Sequence, residues 1–177
     1  MSVDWRQLTV IHYPDPRLRQ RCAAVTEFGD DLKGLAQRMF ELMRQHEGVG
    51  LAAAQVGIPL RVFVMNATNN AADDFVFCNP EILEPHGAKE AEEGCLSIPD
   101  VRVQVRRATR CRIKAQDLAG KPIEREGAEF ECRIWQHETD HLNGMLIIDR
   151  MGPGDAIAVR KTLRDMEAAF APTKRPR

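Results

Sequence analysis

Seven consecutive residues decide the reading of this chain: Gln136-His137-Glu138-Thr139-Asp140-His141-Leu142. His137 and His141 are four apart, and residues at that spacing are neighbours on one face of an α-helix. Two imidazoles so placed can reach one metal ion, and Glu138 can act on a water at that ion. The pattern has only three fixed letters, so it also arises by chance in a helix with two incidental histidines. Here Phe130, Ile134, His137 and His141 form one stripe at steps of four, three and four. That predicts a helix from about Ala128 to Leu142 with both histidines facing inward. An inward imidazole needs a polar partner, and a metal is a good one.

Catalytic metal sites of this kind carry three protein ligands and one open position. An extended form of the motif would put a third histidine at position 147, where the chain has Ile147. Asp165 and Glu167 follow the motif, but on the last predicted helix they read as solvated charges. The third ligand is therefore sought upstream, in Glu93-Gly94-Cys95-Leu96-Ser97. Cys95 follows a polar stretch containing Glu90, Glu92 and Glu93. Alone it reads equally as a buried structural cysteine. Together with the histidines, a Cys/His/His set is the better account. Cys22, Cys78, Cys111 and Cys132 sit in apolar or strand-like contexts and read as structural. An odd count without a CxxC pair argues against a disulfide framework.

A further tract, Gly48-Val49-Gly50-Leu51-Ala52-Ala53-Ala54-Gln55, follows the first predicted helix. Its small residues let backbone approach a ligand closely. The bland alternative is a helix end at Gly48 followed by small-residue packing. It lacks the spacing of a phosphate loop. Gln55 is its one polar side chain, and an amide can donate to a developing oxyanion.

Around these motifs the pattern predicts an α+β fold. A first helix is expected from about Asp30 to His46, on Leu32, Leu35, Met39, Leu42 and Met43. A last helix is expected to start near Pro153 and to carry Ile157, Leu163, Met166 and Phe170. Arg61–Met65 and Phe75–Cys78 read as strands flanking a polar loop. Val101 to Asp117 alternates with period two, as antiparallel strands with one buried face do. Gly120-Lys121-Pro122 is a turn, and Ile123 starts another strand.

The 177 residues, 20.0 kDa, fit one domain spanning 1–177. Lys plus Arg number 25 against 26 Asp plus Glu, a net charge of −1, which speaks against a dedicated DNA or RNA binder. At 44% hydrophobic and 29% charged residues the chain reads as globular, not disordered. No apolar run approaches the ~18–20 residues of a membrane span. Met1 to Val10 resembles neither a secretory signal nor a transit peptide, so a cytoplasmic protein is the expectation; no exposed apolar patch can be read from the sequence, so a monomer is the default. A basic tail at about 172–177 is expected to fray and offers only a weak patch for ribosomal RNA.

The three segments 48–55, 93–97 and 136–142, in this order, resemble the three motifs of the peptide deformylases. The resemblance extends from His12-Tyr13-Pro14-Asp15-Pro16-Arg17-Leu18 through Asn79-Pro80-Glu81-Ile82-Leu83 to Leu142-Asn143-Gly144. It implies antiparallel β-sheets packed around a central helix that carries the two histidines, with an N-terminal and a C-terminal helix. It implies removal of the formyl group from the N-terminal formyl-methionine of new proteins, with N-formyl-methionyl peptides and nascent chains as substrates. Cys95, His137 and His141 resemble the family's metal ligands, for Fe²⁺ in the cell and Zn²⁺, Ni²⁺ or Co²⁺ in purified protein. Glu138 resembles its general acid/base. Gln55 and the backbone N–H of Leu96 resemble the groups that bind the formyl oxygen, and Gly50 the glycine that holds substrate backbone. Val49, Glu93, Phe130 and Ile134 fit the methionine pocket, with Glu93 on a polar rim. Arg133 stands where the family often has an aliphatic residue. It is expected to snorkel to solvent with its stem packed, the alternative being a place at the pocket mouth. Asp140 is expected to be a cap or ion-pair group. The competing readings are a generic peptidase on the same motif and a non-enzymatic, metal-binding or ribosome-associated relative.

Overall fold

The computed structural model describes residues 4–170. The basic tail lies outside the described residues. The chain runs α1 (Asp30–Gln45), β1 (Gly50–Ala52), β2 (Val62–Met65), β3 (Phe75–His86), β4 (Lys89–Cys95), β5 (Ile98–Arg107), β6 (Arg110–Gln116), β7 (Pro122–Ala128), α2 (Glu129–Leu142), α3 (Pro153–Ala158) and α4 (Arg160–Ala169). Five strands form one antiparallel sheet in the order β1-β2-β3-β6-β7, and β4 and β5 form a separate two-stranded sheet.

Side chains alternate across a strand, and this alternation divides the core. Val62, Val64 and Cys78 face α1, where Leu35, Met39 and Leu42 cover them. Phe63, Met65 and Phe77 face the other way, onto Cys132, Ile134, Trp135 and Leu142 of α2. Trp135 is the largest fully buried side chain of that layer. Its ring lies 5.9 Å from that of Phe77, and its Nε1–H donates to the Met65 sulfur at 3.0 Å. Gly127 lets it in: a Cβ there would come within 2.5 Å of the indole. A third cluster joins Ile98, Val101, Val103 and Val105 of β5 to Leu18, Leu146, Ile147 and Val159.

Several expectations need correction. The small-residue tract at 50–52 and the polar stretch at 89–95 are strands, β1 and β4, paired with β2 and β5. β3 continues past Cys78, because a bulge between Cys78 and Glu81, with Asn79 at φ +52°, absorbs Pro80 without ending the pairing. The last helix is two, broken at Val159. Val159, Leu163 and Met166 face the third cluster, whereas Ile157 is 67% exposed. The steps from 159 are helical; the step of six from 157 is not.

Candidate active site

β4 turns into β5 through Leu96 and Ser97, with Cys95 opposite Ile98. This turn presents Cys95 to the C-terminal half of α2. The Cys95 sulfur and one ring nitrogen each of His137 and His141 lie within 4.8 Å of one another. His141 Nε2 is 3.2 Å from that sulfur. His137 Nδ1 is 3.0 Å from Glu93 Oε2. An ionised carboxylate only accepts, so Nδ1 donates and the other ring nitrogen is left for a ligand. One thiol and two imidazoles converging on one point fit a divalent transition metal in tetrahedral coordination. Burial and the neighbouring charge of His137 hold the His141 pKa well below its ordinary value, which keeps that ring neutral. Burial also opposes a charge on His137. Its contacts with Cys95, Glu93 and Glu138 outweigh that and raise its pKa.

Glu138 is buried beside the trio, and its Oε2 has no hydrogen-bond partner among the described residues. Burial pushes its pKa up to about 7. Gly50 packs against it: a Cβ at residue 50 would lie 2.4 Å from Glu138 Oε1. Gln55 is 1% exposed, and its orientation is fixed. Its Oε1 accepts from Ala52 N–H at 2.8 Å, so its amide nitrogen points at Ser97 Oγ (3.2 Å) and Cys95 Sγ (3.6 Å).

A cavity of about 440 Å³ opens onto these groups. Val49, Leu96, Ile98 and Ile134 give it apolar walls, and Phe130, half exposed, stands at its mouth. Gly50, Gln55, Glu93 and Arg133 also line it.

Glu93 lines the cavity, as expected, but its carboxylate is taken up by the protein. Its Oε1 accepts from Arg107 Nε (2.7 Å) and Arg133 Nη1 (2.6 Å), and its Oε2 from Arg107 Nη2 (2.9 Å) and His137 Nδ1. A carboxylate has about four acceptor positions, and all are used here. Burial alone would raise the Glu93 pKa, but His137 and Arg107 hold it well below the usual carboxylate range. Arg133 does not snorkel: its side chain is 13% exposed and its guanidinium turns inward.

Asp140 is an ion-pair group, as expected, bonded to Arg107 Nη1 at 2.7 Å and Arg150 Nη2 at 2.6 Å. Arg107 went unnoticed in the sequence, although a signal was there. Val101, Val103 and Val105 face inward, so period two turns Arg107 inward as well, where a charge must be paired. Asp165 and Glu167 lie on α4; Glu167 accepts from the Tyr13 hydroxyl and joins no ligand group. Burial pushes the Cys22 thiol up to about 11 and the Cys78 thiol up to about 12, in keeping with structural roles. No described helix is long and apolar enough to cross a membrane.

Known proteins resemble this chain in sequence and fold. The family model for polypeptide deformylase matches residues 7–156. A peptide deformylase from Thermotoga maritima is 46% identical over 155 residues, 87% of this chain and 93% of its own length. A crystal structure of a peptide deformylase from Legionella pneumophila superposes with a TM-score of 0.85 at 38% identity, covering 93% of this chain and 99% of that one. A peptide deformylase from Plasmodium falciparum gives 0.88 at 36% identity, covering 92% and 99%. With the match spanning the cavity, the turn at Cys95 and the histidine-bearing helix, the chain belongs to the peptide deformylase family of metal-dependent enzymes.

Proposed function

We propose that this enzyme removes the formyl group from formyl-methionyl peptides with Cys95, His137 and His141 holding one divalent ion, Fe²⁺ in the cell. Zn²⁺, Ni²⁺ or Co²⁺ fit the same donors. When bound, such an ion polarises a carbonyl and lowers the pKa of a water it holds toward ~7. Glu138 takes a proton from the attacking water on its unpartnered Oε2 and later passes it to the leaving amine. The Gln55 amide and the Leu96 N–H donate to the formyl oxygen as negative charge builds on it. Glu93 is assigned a positioning part: it fixes the His137 ring. The methionine side chain is accommodated by Val49, Phe130 and Ile134, and the Gly50 backbone pairs with the peptide. The enzyme works as a monomer in the cytoplasm, on nascent chains.

The observation that carries this reading is the convergence of one thiol and two imidazoles on a point beside a buried carboxylate with a spare oxygen, at the wall of a cavity. Removal of metal by a chelator tests it. Formate release from a formyl-methionyl peptide should fall to background and return on adding Fe²⁺ without oxygen, or Ni²⁺. Full turnover by metal-free protein would refute the reading.

A further inference from the structure

Two arginines line the cavity, and they differ. Arg102 is largely exposed, with Glu92 at 3.7 Å. Arg133 spends its donors on the protein: Nη1 gives to Glu93 Oε1 at 2.6 Å and to Val105 O at 3.0 Å, and Nη2 gives to Lys89 O at 2.8 Å. The donor is on α2, and the three acceptors are on β4 and β5. The proposed ligands divide in the same way, with Cys95 at the end of β4 and the two histidines on α2.

The β4–β5 hairpin is a sheet of its own, not hydrogen-bonded as a strand to the five-stranded sheet. Its hydrogen bonds to α2 are made through side chains. Two guanidiniums span the gap in opposite directions. Arg107 reaches from β5 to Asp140 on α2, and Arg133 reaches from α2 back to both strands. Arg133 is also one helical turn before His137, and both bond the same carboxylate, that of Glu93.

We propose that Arg133 is a positioning residue for the metal centre: it docks the β4–β5 hairpin on α2 so that Cys95 meets the two histidines, and it steadies Glu93 on His137. The inference rests on Cys95, His137 and His141 being the ligands. A planar fork with donors in several directions suits this task, and a lysine's single ammonium can replace only part of it. Loss of such an outer partner of a metal ligand costs ~10–100-fold in metal affinity or activity. Arg107 still holds Glu93 when Arg133 is gone, so the low end of that range is expected.

The test is Zn²⁺ release from loaded protein to an excess of chromogenic chelator, with thermal midpoints measured alongside. Arg133→Met should release Zn²⁺ ~10-fold faster than wild type, and Arg133→Lys at an intermediate rate. Arg125→Met removes an arginine on β7 that pairs with Glu131, and it should release Zn²⁺ as wild type does. An arginine that only stabilises the fold would lower the midpoint and leave release unchanged. Wild-type release from folded Arg133→Met, or equal acceleration in Arg125→Met, overturns the inference. Should Arg133→Met not fold, Arg133→Lys decides: wild-type release from it is equally fatal. A wild type that binds no Zn²⁺, or a Cys95→Ala protein that retains it normally, overturns the ligand set and this inference with it. Normal retention in Arg133→Met beside rapid loss from Cys95→Ala overturns this inference alone.

Discussion

Glu138 occupies space that exists because residue 50 has no side chain. Gly50→Ala puts a carbon 2.4 Å from Glu138 Oε1, so the carboxylate must move. A displacement of about 1 Å can cost ~100-fold in rate, and a fall in kcat of at least ~10-fold is expected, with metal content retained. Glu138→Gln should also keep the metal. It removes the proton acceptor, and kcat should drop by ~10²–10⁴-fold. Metal analysis beside a formate assay checks both variants. A third comparison separates the cysteines: Cys95→Ala should lose most of its metal, whereas Cys22→Ala and Cys78→Ala keep it. At this scale, spacing made His137, His141 and Glu138 legible, because a helix converts sequence distance into position. Cys95 was legible only through its neighbours and its partnership with the histidines. The parts of Glu93 and Arg133 were not, since they depend on which side chains the hairpin brings beneath the helix. A buried, fully donated carboxylate looks in sequence like any glutamate in an acidic stretch.

Element positions follow from packing more than from propensity. β4, Lys89–Cys95, is rich in glutamate and weak as a strand former, and it is a strand because it pairs along its length with β5. β1 is three residues of a glycine- and alanine-rich tract held against β2. Both escape a reading that looks for β-branched runs. α1 and α2 were legible to within about a residue, because each shows a long apolar stripe and ends at a change of pattern. α2 is anchored by Trp135, so Trp135→Ala should cost about 3–5 kcal/mol of folding stability. Gly127→Ala crowds the same ring from β7 and should cost about 1–3 kcal/mol by overpacking. Urea unfolding monitored by circular dichroism measures both. A Gly127→Ala protein as stable as wild type would show that the contact relaxes at no cost.

In the whole molecule, a five-stranded sheet carries α1 on one face and α2 on the other, while a separate hairpin delivers the thiol. The α+β class was legible from the order of patterns. The division into two sheets was not: β5 and β6 are consecutive in sequence, and only the corner at Ala108-Thr109 sends them to different sheets. The proposed chemistry makes this assembly a hydrolase selective for a formyl amide. With the peptide held along Gly50 as proposed, the small-residue tract from Gly48 to Gln55 should leave little room on the far side of the scissile carbonyl, where a formyl group has hydrogen and an acetyl group a methyl. A formyl carbon is also the more electrophilic. Each ~1.4 kcal/mol lost from the transition state is tenfold in rate, so a modest clash is enough for strong discrimination. The direct measurement is formate release, with mass analysis of the products, from matched formyl-methionyl and acetyl-methionyl peptides. The proposed chemistry predicts formate and the free methionyl peptide, with the acetyl peptide at least ~100-fold slower and every internal bond intact. Cleavage inside the peptide with the formyl group still attached would contradict it.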